Sequence, residues 1–229
     1  MKRLIFFDAD DTLWENEEHF RSAERQFAAL FHKEDESESV KHMLWLRQEE
    51  NIPAFGYGSK TYLAGMVETA FDLCDGVLDR ERYNGIKEII LNLAGHKLEI
   101  NDGVEETLAK ISSMGWQMAV ATKGDITEQM NKCRRSGLGR YFHHFEVLEN
   151  KDEKNYMELC RKNDIAPEEL IMVGNSVKSD IAPVVEIGGR AILVPHEVTW
   201  DHEFAKMPVS DRAFEVKKIT EIPEILEKF

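Results

Sequence analysis

The sequence predicts an α/β protein with a doubly wound, Rossmann-like parallel sheet core and an inserted α-helical domain. Three observations carry that prediction. Five short apolar runs have the look of buried strands, helix-patterned segments separate most of the later runs, and the stretch after the first run is helical with no convincing strand. Strands of a parallel sheet are covered on both faces, so they read as continuous apolar runs rather than as alternation. Strands alternating with helices give a parallel, doubly wound layer.

The first run, "RLIFFD" (3–8), ends abruptly in the aspartates Asp8, Asp10 and Asp11. Residues 15–98 then carry four helical patterns. In "ENEEHFRSAERQFAALFHKE" the spacing of Phe20, Ala23, Phe27, Leu30 and Phe31 lines one helical face, and the others lie near 38–51, 59–74 and 79–94. This insert reads either as a helical subdomain that stabilises the sheet or as a lid over the site created by the first strand. "NDGVEETLAKISSMG" enters on Asp-Gly, repeats Val104, Leu108 and Ile111, and stops at Gly115. The strands "QMAVAT" (117–122), "HFEVLE" (144–149), "LIMVGN" (170–175) and "RAILVP" (190–195) follow, with helices over "GDITEQMNKCRRSGLG" and "KDEKNYMELCRKNDI". "ITEIPEILEKF" closes the chain as a helix with Pro223 near its start. The predicted division is a core of 1–14 and 99–229 and an insert of 15–98.

The balance of 29 Lys and Arg against 43 Asp and Glu, a formal charge of −14, argues against nucleic acid, whose binding needs a basic footprint. An anionic ligand must instead be met by a few local cations. Cys74, Cys133 and Cys160 are odd in number and lack C-x-x-C spacing, as expected of reduced thiols. No run approaches about 18 apolar residues, so no membrane span is expected. The N-terminus meets acid before any signal-peptide core can form, and cytoplasmic residence is the expectation.

In open α/β sheets, ligands bind beyond the carboxyl ends of the strands. The first strand leaves Asp8, Asp10, Asp11 and Thr12 there, and the second leaves Thr122 and Lys123. Lys151 precedes a helix, and the turn after the fourth strand runs from Gly174 through Asn175 to Asp180. Carboxylates held this close need a cation, and an all-oxygen set suits a hard ion such as Mg²⁺. Two Asp two residues apart can divide the labour of nucleophile and general acid–base. The Thr122 hydroxyl and Lys123 N–H can hold phosphate oxygens, and Lys151 can offset charge on a transferring phosphoryl group.

D-x-D-x-T after an apolar strand, Thr at a second strand end, a later Lys and a G-x-x-x-x-x-D turn, in that order over 8–180, resemble the haloacid dehalogenase superfamily. The resemblance to its phosphatases implies that Asp8 attacks phosphorus and forms an aspartyl-phosphate. It implies that Asp10 protonates the leaving group and then activates water, on a small phosphorylated metabolite. Asp8, Asp10, Asn175 and Asp180 are the implied metal set, with Asn175 standing where the family usually carries aspartate. Either Asn175 or Asp180 is then the direct ligand, and weaker metal affinity is expected. The family's dehalogenases lack an acid at the position of Asp10, which favours a phosphatase over a 2-haloacid dehalogenase. Asn175 motivates a further alternative, a catalytically quiet phosphometabolite-binding regulatory protein. Residues 15–98 resemble the family's α-helical cap. The third-motif lysine is Lys151 or Lys154, with Lys151 preferred because it precedes the helix. Asp11 is expected to serve the turn and Thr12 to brace it.

"GYGSKT" (56–61) is not a P-loop, because Ser59 precedes Lys60 and no strand leads into it. Phe55, Tyr57 and Lys60 can still select substrate or simply form a turn. His143 and His144 point to opposite faces of a strand and make no metal pair. His196, Trp200 and His202 are placed near the same rim as the site.

Overall fold

The computed structural model describes residues 3–32, 36–196 and 205–229, so Trp200 and His202 lie outside the described residues. Contacts divide the chain into two compact units, one of Met1–Glu17, Leu98–Lys123 and Gln129–Phe229, the other of Glu18–Lys97 and Gly124–Glu128.

The first unit is built on a parallel sheet of order β3-β2-β1-β4-β5-β6. Its strands are β1 (Leu4–Phe7), β2 (Gln117–Lys123), β3 (Phe142–Leu148), β4 (Ile171–Gly174), β5 (Arg190–Leu193) and β6 (Ala213–Glu215). Every residue of β1 is buried. Alternation along it sends Ile5 and Phe7 into one core with Val104, Leu108 and Ile111, and Leu4 and Phe6 into another with Tyr156 and Leu159. Those partners lie on helices α5 (Val104–Ser113) and α7 (Glu153–Lys162). Helices therefore cover both faces, which explains the unbroken apolar runs. On one side of β1 the chain order runs outward through β2 and β3, and on the other through β4, β5 and β6. This reversal puts the topological switch point at the end of β1, where such sheets bind ligands.

The doubly wound parallel sheet is the predicted one, with one correction: among the described residues it has six strands rather than five. β6 is three partly exposed residues that, among the described residues, pair only with β5. An edge strand that short leaves no apolar run to find. β3 also begins two residues before the predicted start, with a shift in its pairing between Met118 and Ala119.

The second unit holds α1 (Glu17–Leu30, whose first residue belongs to the other unit), α2 (Ser37–Phe55), α3 (Ser59–Leu73) and α4 (Arg80–Gly95). Phe27, Leu44, Tyr62, Met66 and Ile86 are fully buried in its core. Gly85 permits a close crossing of α1 and α4, since a Cβ there would lie 2.8 Å from Leu30 Cδ2. Asp79 caps α4 by accepting from Arg82 N at 2.9 Å. Among the described residues, no helix is long and apolar enough to cross a membrane.

Candidate active site

Asp8 emerges from β1 with its N–H bonded to Val173 O at 2.8 Å, so the nucleophile candidate is fixed between β1 and β4. The chain then turns tightly. Asp11 takes φ 60°, a left-handed conformation that Asp tolerates better than most residues, and Leu13 N returns to Ala9 O at 2.8 Å. The Asp11 carboxylate accepts from Asn16 N at 2.8 Å and Glu17 N at 2.9 Å, which caps the start of α1. Burial pushes the Asp11 carboxyl up to about 6. Asn101 Nδ2 donates to the carbonyls of Asp11 and Thr12 at 3.3 and 3.2 Å and braces the turn from outside. Asn101 belongs to no motif, and "ND" before a helix reads as an ordinary turn.

His196 Nε2 lies 3.1 Å from both carboxylate oxygens of Glu15. Asp11, Glu15 and His196 bring ligand atoms within 4.8 Å of one another. The helix cap and the Glu15–His196 pair already account for that cluster.

Lys151 is the hub of the buried charges. Its ammonium donates to Asp8 Oδ1 and, at 2.6 Å, to Asp180 Oδ1, with its side chain 2% exposed. Lys154 is exposed. Asp180 also accepts from Ser176 N through Oδ2 at 3.0 Å. Gly174 makes room for it: a Cβ there would sit 2.1 Å from Asp180 Oδ2, so only glycine fits. α7 supplies the other anchor, since Tyr156 donates its hydroxyl to Ser179 O at 2.9 Å. Burial pushes the Asp8 carboxyl up to about 7 despite the opposing ammonium of Lys151, and the Asp180 charge adds to the rise. Burial alone would lower the Lys151 pKa, but the Asp180 and Asp8 carboxylates raise it well above the usual lysine range. Two carboxylates share one ammonium.

The other Asp8 oxygen faces a different group. Thr12 Oγ1 is 3.2 Å from Asn175 Oδ1 and 3.5 Å from Asp8 Oδ2, so the hydroxyl stands between them. Asp8 Oδ2 and Asn175 Oδ1 are hard oxygen donors not taken up by Lys151, and the donor chemistry fits a divalent cation such as Mg²⁺. Both oxygens of Asp180 are already engaged by Lys151 and Ser176.

Asp10 is held by a different set of donors. Its Oδ1 accepts from Trp14 Nε1 at 2.7 Å and Lys132 Nζ at 3.0 Å, and its Oδ2 from Gln129 Nε2 at 2.7 Å and Lys132 Nζ at 3.1 Å. Burial alone would raise its pKa. The Lys132 charge, with hydrogen bonds from Gln129 and Trp14, instead holds the carboxyl below the usual range. Gln129 and Lys132 are both buried, three residues apart on α6 (Ile126–Ser136), and so share a face. They carry no motif. The available signal was that the face of α6 turned inward is polar.

Thr122 is buried at the end of β2, two residues beyond Val120, the register partner of Phe7. Its hydroxyl is 3.3 Å from Lys123 O, while Lys123 Nζ donates to Ser179 Oγ at 3.0 Å. The structure thus joins Asp8, Thr12, Lys151, Asn175 and Asp180 directly, and holds Asp10 through its own donors, one of which, Gln129, leads back to Asp180 by way of Lys123, Ser179 and Ser176. In the helical unit, Lys60 Nζ donates to Asp125 Oδ2 at 2.7 Å, and Ser59 N and Oγ donate to Glu128 Oε2 at 3.1 and 2.8 Å.

Residues 2–188 match the family model described as haloacid dehalogenase-like hydrolase. A haloacid dehalogenase-like family hydrolase from Xanthomonas campestris is 30% identical, with TM-score 0.86 over 99% of this chain and 91% of that one. A 2-haloacid dehalogenase from Pseudomonas syringae shares the fold at TM-score 0.63 and 23% identity, over 100% and 99% of the chains. The glyceraldehyde 3-phosphate phosphatase of Methanothermobacter thermautotrophicus is 25% identical over 243 aligned positions, 99% of each chain. For the Pyrococcus furiosus protein of the same name, identity is 25% and the match spans 52% of that relative.

Proposed function

The chain belongs to the haloacid dehalogenase-like hydrolases, and within that family we propose that it is a Mg²⁺-dependent phosphatase acting on a small phosphorylated metabolite through an aspartyl-phosphate at Asp8. The observation that carries this reading is the division between two carboxylates two residues apart. Asp8 is bonded to Lys151, whereas Asp10 stands in its own set of donors.

In the first half-reaction an Asp8 oxygen forms a bond to phosphorus while the ester P–O bond breaks, and Asp10, ionised in the free protein and protonated from solvent once substrate is bound, gives that proton to the leaving oxygen. In the second half, water attacks the same phosphorus and passes a proton to Asp10, and the bond from phosphorus to Asp8 breaks. Thr122 and the Lys123 N–H hold non-bridging oxygens, and Lys151 offsets their charge. Asp8, the Asp10 carbonyl and Asn175 are the proposed cation ligands. Asp180 serves to position Lys151, since its oxygens are taken. Mg²⁺, when bound, supplies charge neutralisation at the phosphoryl group.

The core of 1–14 and 99–229 carries this chemistry, and 15–98 acts as a substrate-selecting cap through Tyr57 and Lys60. The names of the relatives support a small phosphomonoester as substrate, with glyceraldehyde 3-phosphate the first to try. The test is phosphate release from 4-nitrophenyl phosphate and a panel of sugar phosphates, nucleotides and phosphoglycolate, with and without Mg²⁺. Release that needs Mg²⁺ and vanishes in Asp8→Asn is expected. A rate no higher than that control refutes the reading, and chloride release from a 2-haloacid assigns the site to carbon–halogen hydrolysis. Tyr57→Ala with Lys60→Ala should change relative rates across the panel; unchanged ratios remove the cap residues from selection.

A further inference from the structure

The proposed acid–base, Asp10, is held by side chains outside every recognised motif. Four hydrogen bonds reach its carboxylate, two on each oxygen, and a carboxylate has about four lone-pair sites. Every site is therefore occupied. An acid–base must nevertheless offer one site to a proton in each half-reaction, so one donor has to yield.

Three donors are involved and they are not equivalent. Trp14 and Gln129 each make one short bond, at 2.7 Å, to a different oxygen. Gln129 Nε2 has a further acceptor in Lys123 O at 3.0 Å and Lys132 has one in Asn16 Oδ1 at 2.7 Å, but of the three donors Lys132 alone straddles both Asp10 oxygens, at 3.0 and 3.1 Å. It can give up one oxygen and keep the other without losing its partner. Its side chain is 3% exposed, and burying an ammonium is costly unless charge and hydrogen bonds answer it. A mere tie between α6 and the turn after β1 would be served as well by an apolar side chain.

We propose that Lys132 is a positioning residue for the acid–base step: it holds the Asp10 carboxylate against Trp14 and Gln129 and yields one of its oxygens as the proton is transferred. This rests on the phosphatase reading above. The proton moves only between Asp10 and the leaving or attacking oxygen, and Lys132 keeps its own.

The test is kcat and KM of the full-length, Mg²⁺-loaded enzyme on phenyl phosphate and 4-nitrophenyl phosphate. The variants are Lys132→Met, Asp10→Asn and the two combined. Phenoxide is the poorer leaving group and depends more on proton donation. Lys132→Met should lower kcat on phenyl phosphate about 100-fold and less on the nitro ester, with KM unchanged within about threefold. Added to Asp10→Asn, it should cost nothing more, because Lys132 acts through Asp10.

Equal losses on both esters, or a full further loss in the Asp10→Asn background, overturn the proposal while leaving the phosphatase reading intact. Wild-type rates no higher than Asp8→Asn remove both. If Lys132→Met does not fold by urea titration, Lys132→Gln carries the same test. It keeps a donor at this position without the ammonium that spans both Asp10 oxygens, and a preferential loss on phenyl phosphate supports the proposal, whereas equal losses refute it.

Discussion

Replacing Lys151 with Met tests the buried charge network at its centre. The ammonium is bonded to Asp8 and, at 2.6 Å, to Asp180, and all three side chains are almost wholly buried. A unit-charge pair at about 4 Å is worth about 4 kcal/mol at an effective dielectric of about 20. Part of that offsets desolvation, and removing one partner of a buried pair costs about 3–5 kcal/mol. The carboxylates can escape some of the cost by taking a proton. Asp8, already pushed up to about 7, rises further without Lys151. The loss in Lys151→Met should therefore be largest near pH 8 and smaller near pH 5.5. At about 2–4 °C per kcal/mol for a chain of this size, Tm near pH 8 falls by about 6–20 °C. Thermal and urea melts of the metal-free protein read the effect, and adding Asp8→Asn should recover part of it. A drop below about 1 kcal/mol at both pH values, the level of an exposed ion pair, would refute the buried-hub reasoning.

Gly174→Ala drives a methyl group into Asp180 and should cost about 1–3 kcal/mol in urea melts while displacing Lys151 and lowering kcat; normal activity would show that the Asp180 position is dispensable. Asn175→Asp adds a negative charge beside Asp8 and should tighten Mg²⁺ binding about tenfold by calorimetry, and an unchanged Kd would exclude Asn175 as a ligand. The Asp8 carboxyl also sets a pH dependence. Its folded value of about 7 lies above the unfolded 3.8, so its contribution to metal-free stability is fully present below about pH 4 and fades as pH rises through 7. Mg²⁺ must displace that proton, so it should raise Tm more at pH 8 than at pH 6. An equal rise at both would show that Asp8 ionisation is not linked to the cation.

What the sequence made legible follows from which physical constraints are local. Each central strand is a buried apolar run with polar residues packed at its end, so β1, β2, β4 and β5 and the residues they deliver could be read directly. Asp8, Thr122 and Asn175 stand at strand ends because the sheet edge is where ligands meet a rigid scaffold. β6 was illegible because three partly exposed residues at an edge carry no pattern. The donors around Asp10 were illegible for another reason. Gln129 and Lys132 look like the solvated residues of a polar helix, "ITEQMNKCRRS", and only the packing of α6 against the turn after β1 turns them inward. Asn101 acts through a contact to residues some ninety positions earlier in the chain, which no local spacing records.

The covalent step is the central claim, and rapid quenching tests it most directly. The Mg²⁺-loaded enzyme is mixed with 4-nitrophenyl phosphate, quenched in acid within the first turnovers, digested and mapped by mass spectrometry. A single phosphoryl group on the peptide containing Asp8, absent from Asp8→Asn, is the expected result. Turnover with Asp8 unmodified, or turnover undiminished in Asp8→Asn, would contradict it.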